Sequence, residues 1–208
     1  MKIKSIYHRA RRSLKVRQAV FGDFAFIHIN KCGGTSVEAA LGLPKIHDTA
    51  RQRRDKIGVA RWERIPSFAL VRCPYDKVAS HYRYRVKTNQ TGLGNGIPNL
   101  NEWVRRAYGE REPRYYDIPL MFAPCIDWLK DDDGEVMVDL WVRLEEIDRD
   151  WQQIEALIGT SATLSKQNST VRGSDSKKDK LNAESIAIIN DHFRNDFKTF
   201  GYSLRHAS

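Results

Sequence analysis

A short apolar run followed by a lysine and two adjacent glycines constrains the fold of this chain more than any other feature. Residues 24–29 have the sequence Phe-Ala-Phe-Ile-His-Ile and predict a buried strand, and helix-forming residues extend from Thr35 to Leu41. Between them lies the turn Asn30-Lys31-Cys32-Gly33-Gly34. Glycines let the backbone approach an anion closely, and the free N–H groups at a helix start point towards it. The order of strand, glycine turn and helix therefore predicts a phosphate-binding loop.

The side chains of this turn agree with an anionic ligand. Lys31 adds a full positive charge, and Thr35 and Ser36 add hydroxyl donors in the first helical turn. Cys32 could be a reactive thiolate at the helix start, but a need for a small side chain is the simpler interpretation. The alternative for the whole turn is a tight strand-to-helix bend, in which the glycines serve only the backbone.

The position of the lysine narrows the choice of ligand. A nucleoside-triphosphate loop has the pattern G-x-x-x-x-G-K-[ST], in which the lysine follows the last glycine. Here Lys31 precedes Gly33 and Gly34, and no glycine lies upstream within the loop. This order leaves too little loop to wrap a β- and a γ-phosphate, and it favours a single terminal anionic group.

A second segment repeats the same order of elements. Residues 68–71 predict a strand, Arg72 ends it, and Pro74 suits the first turn of a helix in which Ser80 lies about two turns along. Two successive strand-turn-helix units place both strand ends at one edge of a parallel sheet, where open α/β folds bind ligands. We therefore expect Lys31 and Arg72 to converge. The alternative is that Arg72 is a surface cation and Ser80 a neutral helix residue.

Length and cysteine content suggest an ordinary globular protein. From the length of 208 residues and the composition, we predict a basic N-terminal segment at residues 1–23 and one domain at residues 24–202. It lacks both a run of about eighteen apolar residues and a secretory signal, so we predict no membrane span. Its three cysteines, which are odd in number and far apart, exclude a disulfide framework and a zinc pair; they are Cys32, Cys73 and Cys125. We expect a cytoplasmic protein without a bound metal.

The formal net charge of +9 raises the question of a polyanionic partner. The basic residues are spread along the chain, however, and no recognised nucleic-acid motif is present. An anionic cofactor, an anionic glycan substrate or both would explain the charge. We therefore predict no nucleic-acid partner.

Together these motifs make the chain resemble the sulfotransferases that use 3′-phosphoadenosine 5′-phosphosulfate (PAPS), in particular the bacterial and Golgi carbohydrate sulfotransferases. The family's first loop, P-K-T-G-G-T-[ST], stands here as Asn30-Lys31-Cys32-Gly33-Gly34-Thr35-Ser36. Its second motif, which contains R-[ND]-P-x-[DE]-R-x-x-S-x-Y, matches Arg72 to Tyr82. This chain departs from the two motifs at Asn30, Cys32, Cys73 and Lys77. Weaker likenesses extend the match from Phe24 to Tyr202; they lie at Lys45–Arg51, Val138–Asp150, Asn168–Ser169 and Phe193–Tyr202.

The resemblance implies a three-layer, P-loop-like α/β fold with a central, mostly parallel sheet flanked by helices. It implies that PAPS is the sulfonate donor, that residues 30–36 hold its 5′-phosphosulfate, and that Arg72 and Ser80 hold its 3′-phosphate. Lys31 would stabilise the leaving phosphate. The segment that often closes over the nucleotide in this family supplies three secondary candidates, which are Lys166, Ser169 and Arg172.

His47 is the candidate for the base that takes the acceptor's proton. The resembled family carries a histidine in this segment, and an ordinary histidine is partly neutral near pH 7. The alternative is a surface histidine ahead of a helix. We expect His28 to be a buried sheet histidine and His81 to lie either on the acceptor side or on the helix surface. The resemblance favours a sugar hydroxyl as acceptor, with a small hydroxylated molecule as the other choice.

Two other functions remain open at this point. The first is a P-loop kinase acting on a small molecule, which is disfavoured because the lysine precedes the glycines and the second strand carries no aspartate placed to hold magnesium. The second is a non-catalytic protein that binds a nucleotide or nucleic acid.

Overall fold

The structure, a computed structural model, describes residue 16 and residues 20–96, 98–164 and 180–206. Contacts between Cα atoms divide the chain into two compact units. Residues 1–71 and 127–169 belong to the first unit, and residues 72–126 and 170–208 belong to the second. The domain bounds proposed above, residues 24–202, stay a prediction.

A parallel sheet forms the centre of the first unit. Its described strands are β1 (Ala25–Ile27), β2 (Ser67–Val71) and β3 (Leu140–Arg143), in the spatial order β1-β2-β3. Phe26 pairs with Phe68 across the first ladder, and Ala69 pairs with Trp141 across the second. Every residue of β1 and β2 is buried, as expected of a parallel sheet that is covered on both faces. The predicted α/β fold, a parallel sheet flanked by helices, is confirmed.

Helices make up most of the remaining described structure. They are α1 (Gly34–Leu41), α2 (Ala50–Ile57), α3 (Val59–Trp62), α4 (Pro74–Lys87), α5 (Leu100–Val104), α6 (Pro119–Phe122), α7 (Cys125–Leu129), α8 (Ile147–Ile158), α9 (Ala183–His192) and α10 (Arg194–Phe200). Short 3₁₀ segments lie at Gln90–Asn95 and Leu144–Glu146, and a π turn lies at Arg105–Gly109. Within the described ranges, no helix has the length and apolar character needed to cross a bilayer.

Local chemistry sets the ends of the elements around the glycine turn. Strand β1 is shorter than the predicted 24–29 because the N–H of Ile29 donates to the carbonyl of Ile27 over 3.1 Å, which turns the chain out of the sheet. Helix α1 ends at Gly42, whose φ of +65° suits a residue without a Cβ. Helix α4 begins at Pro74, which has the fixed φ that a first helical turn requires.

An aromatic core holds the second unit together. Trp103 and Phe122 are fully buried in it, so the helices that carry them contribute to packing. The carboxylate of Asp196, which is also buried, accepts the backbone N–H groups of Cys125 and Ile126 over 2.7 and 2.9 Å. These two bonds satisfy amide groups that a helix start would leave unpaired.

Candidate functional site

The turn after β1 has the backbone geometry of a tight loop; residues 30–36 are called the anion loop from here on. Lys31 and Gly33 both have positive φ values, +64° and +82°. The N–H of Cys32 donates to the carbonyl of Ile29 over 3.4 Å, and the N–H of Ser36 donates to the carbonyl of Gly33 over 3.0 Å. A positive φ is unusual for a residue with a side chain, so Lys31 occupies a conformation that the surrounding structure imposes.

The start of α1 is open to an anion in a way that the start of α2 is not. Gly33 caps α1 without a side-chain hydrogen bond, and no acidic residue lies in the first turn. Helix α2 begins instead with a complete capping box, in which Thr49 and Gln52 each accept the other's backbone N–H. No side chain therefore caps the first N–H groups of α1 or offsets its positive dipole end, an arrangement that suits an anionic ligand.

The two glycines of the anion loop are also required by packing. A Cβ atom on Gly34 would lie between 2.1 and 2.6 Å from ring atoms of His28. A Cβ atom on Gly33 would lie 2.4 Å from a methyl carbon of Leu144, and the φ of +82° would strain it further. Both the ligand interpretation and the backbone interpretation of these glycines thus have a physical basis.

The side chains of the anion loop differ in their access to solvent. Lys31 and Ser36 are half-buried and Thr35 is exposed, so their ammonium and hydroxyl groups lie at the surface of the loop. Asn30 is buried, and Cys32 is only 1 % exposed. A thiol so deeply buried has no route to a substrate, which favours the small-side-chain interpretation of Cys32.

His47 lies against His28, two residues before the anion loop, within the first unit. Its Nδ1 is 3.0 Å from the backbone carbonyl oxygen of His28, and the two rings are 4.3 Å apart. A carbonyl only accepts, so Nδ1 carries the hydrogen and the lone pair of the neutral ring is on Nε2. Burial is the main cause that lowers the pKa of His47 below its usual 6.5. His47 is therefore neutral near pH 7 and able to accept a proton at Nε2.

The segment that carries His47 is fixed on both sides. Asp48, the next residue, accepts hydrogen bonds from Lys56 over 2.6 Å and from Arg53 over 3.4 Å, both on α2. The rings of His47 and Trp128 lie at 70° to each other with their centres 6.3 Å apart. The imidazole therefore has a defined place, unlike that of a surface histidine ahead of a helix.

A buried, hydrogen-bonded pair next to the anion loop was not predicted from the sequence. The Nδ1 of His28 and a carboxylate oxygen of Glu38 are 2.6 Å apart, and the residues are only 5 % and 7 % exposed. His28 was expected as a buried sheet histidine, and it is buried directly after β1. Its partner could have been suspected from sequence, because Glu38 is an acidic residue in an otherwise apolar stretch of a short helix.

The second unit holds the other predicted phosphate ligands. Arg72 follows β2 directly in the chain, and Ser80 lies on α4; both are half-buried. Ser80 shares a helix face with the exposed Asp76 and Tyr84, four residues before and after it. Ser80 thus lies on the outer face of α4.

Two residues close to Ser80 on α4 are buried in the second unit instead. His81 is buried, and its Nδ1 lies 3.2 Å from the hydroxyl of Tyr108, so a place on the helix surface was wrong. Lys77, at a position where the resembled motif has arginine, is buried and donates to the carbonyl of Ala123 over 2.6 Å. Three further predicted ligands lie outside the described residues; they are Lys166, Ser169 and Arg172.

Comparison with known proteins adds one finding. A family model described as "Sulfotransferase family" matches residues 21–203, which is nearly the whole chain. Searches of curated proteins and of solved structures found no match.

Proposed function

We propose that this chain, which belongs to the sulfotransferase family, transfers a sulfonate group from PAPS to a hydroxyl group of an acceptor. Membership of the family makes it a transferase of sulfonate groups. The donor, the acceptor class and the roles of individual residues are the parts that we propose. The observation that carries the proposal is the anion loop, in which Lys31 precedes two glycines and an uncapped helix start.

The loop has the donors that a 5′-phosphosulfate needs. Its seven residues would surround the anion: Asn30, Lys31, Cys32, Gly33, Gly34, Thr35 and Ser36. The backbone N–H groups at the start of α1 bind phosphate oxygens, and the hydroxyls of Thr35 and Ser36 add further hydrogen bonds. PAPS supplies the activated sulfonate, and the residues of the chain supply charge, orientation and a proton acceptor.

Lys31 stabilises the charge that develops on the leaving group. As the bond between sulfur and the bridging oxygen breaks, that oxygen gains negative charge, which a nearby ammonium group offsets. A new bond forms between the sulfur and the acceptor oxygen. The products are the sulfated acceptor and 3′-phosphoadenosine 5′-phosphate (PAP). No proton needs to leave Lys31 in this scheme.

His47 takes the proton of the acceptor hydroxyl. Its hydrogen bond to the carbonyl of His28 places the lone pair on Nε2, and its lowered pKa keeps the ring neutral near pH 7. The proton of the hydroxyl passes to Nε2 as the new bond forms. A fixed neutral imidazole is what a base for this step requires.

Arg72 and Ser80 bind the 3′-phosphate and so distinguish PAPS from other adenine nucleotides. A guanidinium group binds a phosphate through two parallel hydrogen bonds, and a hydroxyl adds a third. The assignment follows the family motif and the accessible places of both residues in the second unit. Lys166, Ser169 and Arg172 are assigned to the same nucleotide on the family motif alone.

We further propose a carbohydrate acceptor and a cytoplasmic location. A sugar hydroxyl is favoured by the likeness to carbohydrate sulfotransferases, and the net charge of +9 suits an acidic glycan. The three cysteines are free thiols, which suits a reducing compartment.

Titration calorimetry with nucleotides tests the donor without knowledge of the acceptor. We expect binding of PAP and a loss of roughly 10- to 100-fold in its affinity in Arg72→Ala, which removes a charged hydrogen bond. Adenosine 5′-phosphosulfate, which lacks the 3′-phosphate, should bind both proteins alike. Arg83→Ala, a matched change on α4, should keep the affinity for PAP.

Two results would contradict the proposal. Tight binding of ATP with magnesium and none of PAP would favour a kinase. Binding of nucleic acid that weakens steeply with salt and ignores Lys31→Ala would favour a nucleic-acid-binding protein. A screen of sugars with sulfur-labelled PAPS then identifies the acceptor.

A further inference from the structure

We infer that Glu38 and His28 form a buried positioning pair that holds the anion loop and His47 in one geometry. The inference concerns how the site is kept in place, and its catalytic part rests on the proposed function. Neither residue touches the reacting atoms in our scheme. Both act through neighbours that do.

His28 contacts both parts of the site. Its ring lies against the α-carbon of Gly34, in the space that a Cβ atom there would need. Its backbone carbonyl accepts the hydrogen bond from His47 over 3.0 Å. A rotation of the His28 ring would therefore release the start of α1, and a shift of its backbone would release the proposed base.

Glu38 fixes the orientation of the His28 ring. Its carboxylate is 2.6 Å from Nδ1 of His28, so the hydrogen of that ring lies on Nδ1 and the ring edge is directed towards Gly34. Glu38 lies four residues after Gly34 on α1, one helical turn further along. Through its contacts with Gly34 and Glu38, His28 therefore holds the first two turns of α1 against the end of β1.

Because the pair is buried, loss of its hydrogen bond would be costly in free energy. Glu38 and His28 are 7 % and 5 % exposed, and a buried charged group is costly unless it is hydrogen-bonded. Loss of Glu38 would leave Nδ1 of His28 without its partner inside the unit. The ring would then adopt the other tautomer or turn towards another acceptor, and Gly34 would lose its support.

The charge of Glu38 also acts on His47. Burial has the largest effect on the pKa of His47; in addition, the neighbouring His28 and Lys45 lower this pKa, and the carboxylate of Glu38 raises it. Replacement of Glu38 by glutamine keeps an acceptor oxygen for His28 but removes the charge. The pKa of His47 should then fall further, which is an effect that packing alone would not produce.

Histidine ring NMR and nucleotide binding together test the pair. In the full-length protein, long-range proton–nitrogen spectra should show the hydrogen on Nδ1 of both His28 and His47. Glu38→Ala should lose the Nδ1 tautomer of His28 and weaken PAP binding roughly tenfold, the equivalent of one buried hydrogen bond. Glu38→Gln should keep the tautomer and bind PAP within about twofold of the wild type, but should titrate His47 at a lower pH.

Asp139→Ala is the matched control. The carboxylate of Asp139 accepts two hydrogen bonds from Ser67, each 2.7 Å long, at the amino end of the same sheet. This variant should lose stability without change in the histidine tautomers or in PAP binding. An equal loss of PAP affinity in Asp139→Ala would show that destabilisation alone explains the effect, and would overturn the inference.

Other outcomes separate this inference from the proposed function. If the wild-type protein does not bind PAP, the proposed function fails, and the ring spectra still decide whether Glu38 fixes His28. If Glu38→Ala keeps both the tautomer and the affinity, the positioning pair is refuted. Should Glu38→Ala not fold, Glu38→Met, which is closer to glutamate in volume, takes its place with the same expectations.

Discussion

His47 donates its Nδ1 hydrogen to the backbone carbonyl of His28, 3.0 Å away. The bond is made to the backbone, so the imidazole of His47 is held at the end of β1, directly before the anion loop. A histidine on a surface loop would lose this alignment and would titrate near its ordinary pKa. Four predictions follow from this geometry and from that of the loop.

The first prediction concerns pH. The pKa of His47 lies below 6.5, and the neutral ring is the active form in the proposed mechanism, so the rate of transfer should rise with pH and level off above that pKa. The acidic limb of the profile of kcat/KM for the acceptor should therefore have its midpoint below 6.5. A midpoint above pH 7 would contradict the assignment of His47 as the base.

The second prediction concerns the loss of that base. His47→Ala should reduce the rate of transfer by about 10²- to 10⁴-fold, the usual contribution of a general base. Its affinity for PAP should stay close to that of the wild type, since the anion loop is unchanged. His206→Ala, a change at an exposed histidine, serves as the control and should alter neither. Near-normal turnover in His47→Ala would refute the role.

The third prediction tests the contact between Gly34 and His28. Gly34→Ala should lower the free energy of unfolding by about 1–3 kcal/mol, because the new methyl group overlaps the ring of His28. His28→Ala removes that ring, so the double variant should be more stable than the sum of the two single changes predicts. Chemical denaturation of the four proteins measures the coupling. Strict additivity would mean that the two residues do not interact.

The fourth prediction separates the charge of Lys31 from its backbone. Lys31 has a φ of +64°, which glycine adopts without strain and alanine does not. Lys31→Gly should therefore be more stable than Lys31→Ala by about 1 kcal/mol in the free energy of unfolding, which thermal or chemical denaturation measures. Both variants lack the ammonium group, so both should lose sulfonate transfer equally. Transfer by either variant at the wild-type rate would remove Lys31 from the mechanism.

Much of the site could be predicted from short patterns. The strand-turn-helix order at residues 24–41 and the helix that begins at Pro74 depend on neighbouring residues, and both are present with small shifts of their ends. The family likeness drawn from the same motifs agrees with the match over residues 21–203. These elements depend on interactions between residues that are close in sequence, so local sequence patterns predict them.

Burial and pairing could not be predicted in the same way. Lys77 and Ser80 lie on one helix three residues apart, yet Lys77 is buried against the carbonyl of Ala123 and Ser80 is half-buried on the outer face. His81 was expected near the acceptor or on the surface, and it lies in an aromatic core beside Tyr108. These differences depend on which face of α4 the rest of the unit covers.

The sequence by itself determined the anion loop, the second strand-to-helix motif and the family. The tertiary structure decided where the imidazole of His47 lies and which tautomer it has, because both depend on a carbonyl 19 residues away in the chain. It also decided that Glu38 supports His28 and that Gly34 must lack a side chain. Each of these contacts joins a later segment of the chain to the end of β1. Such contacts depend on long-range packing, which a local sequence pattern does not predict.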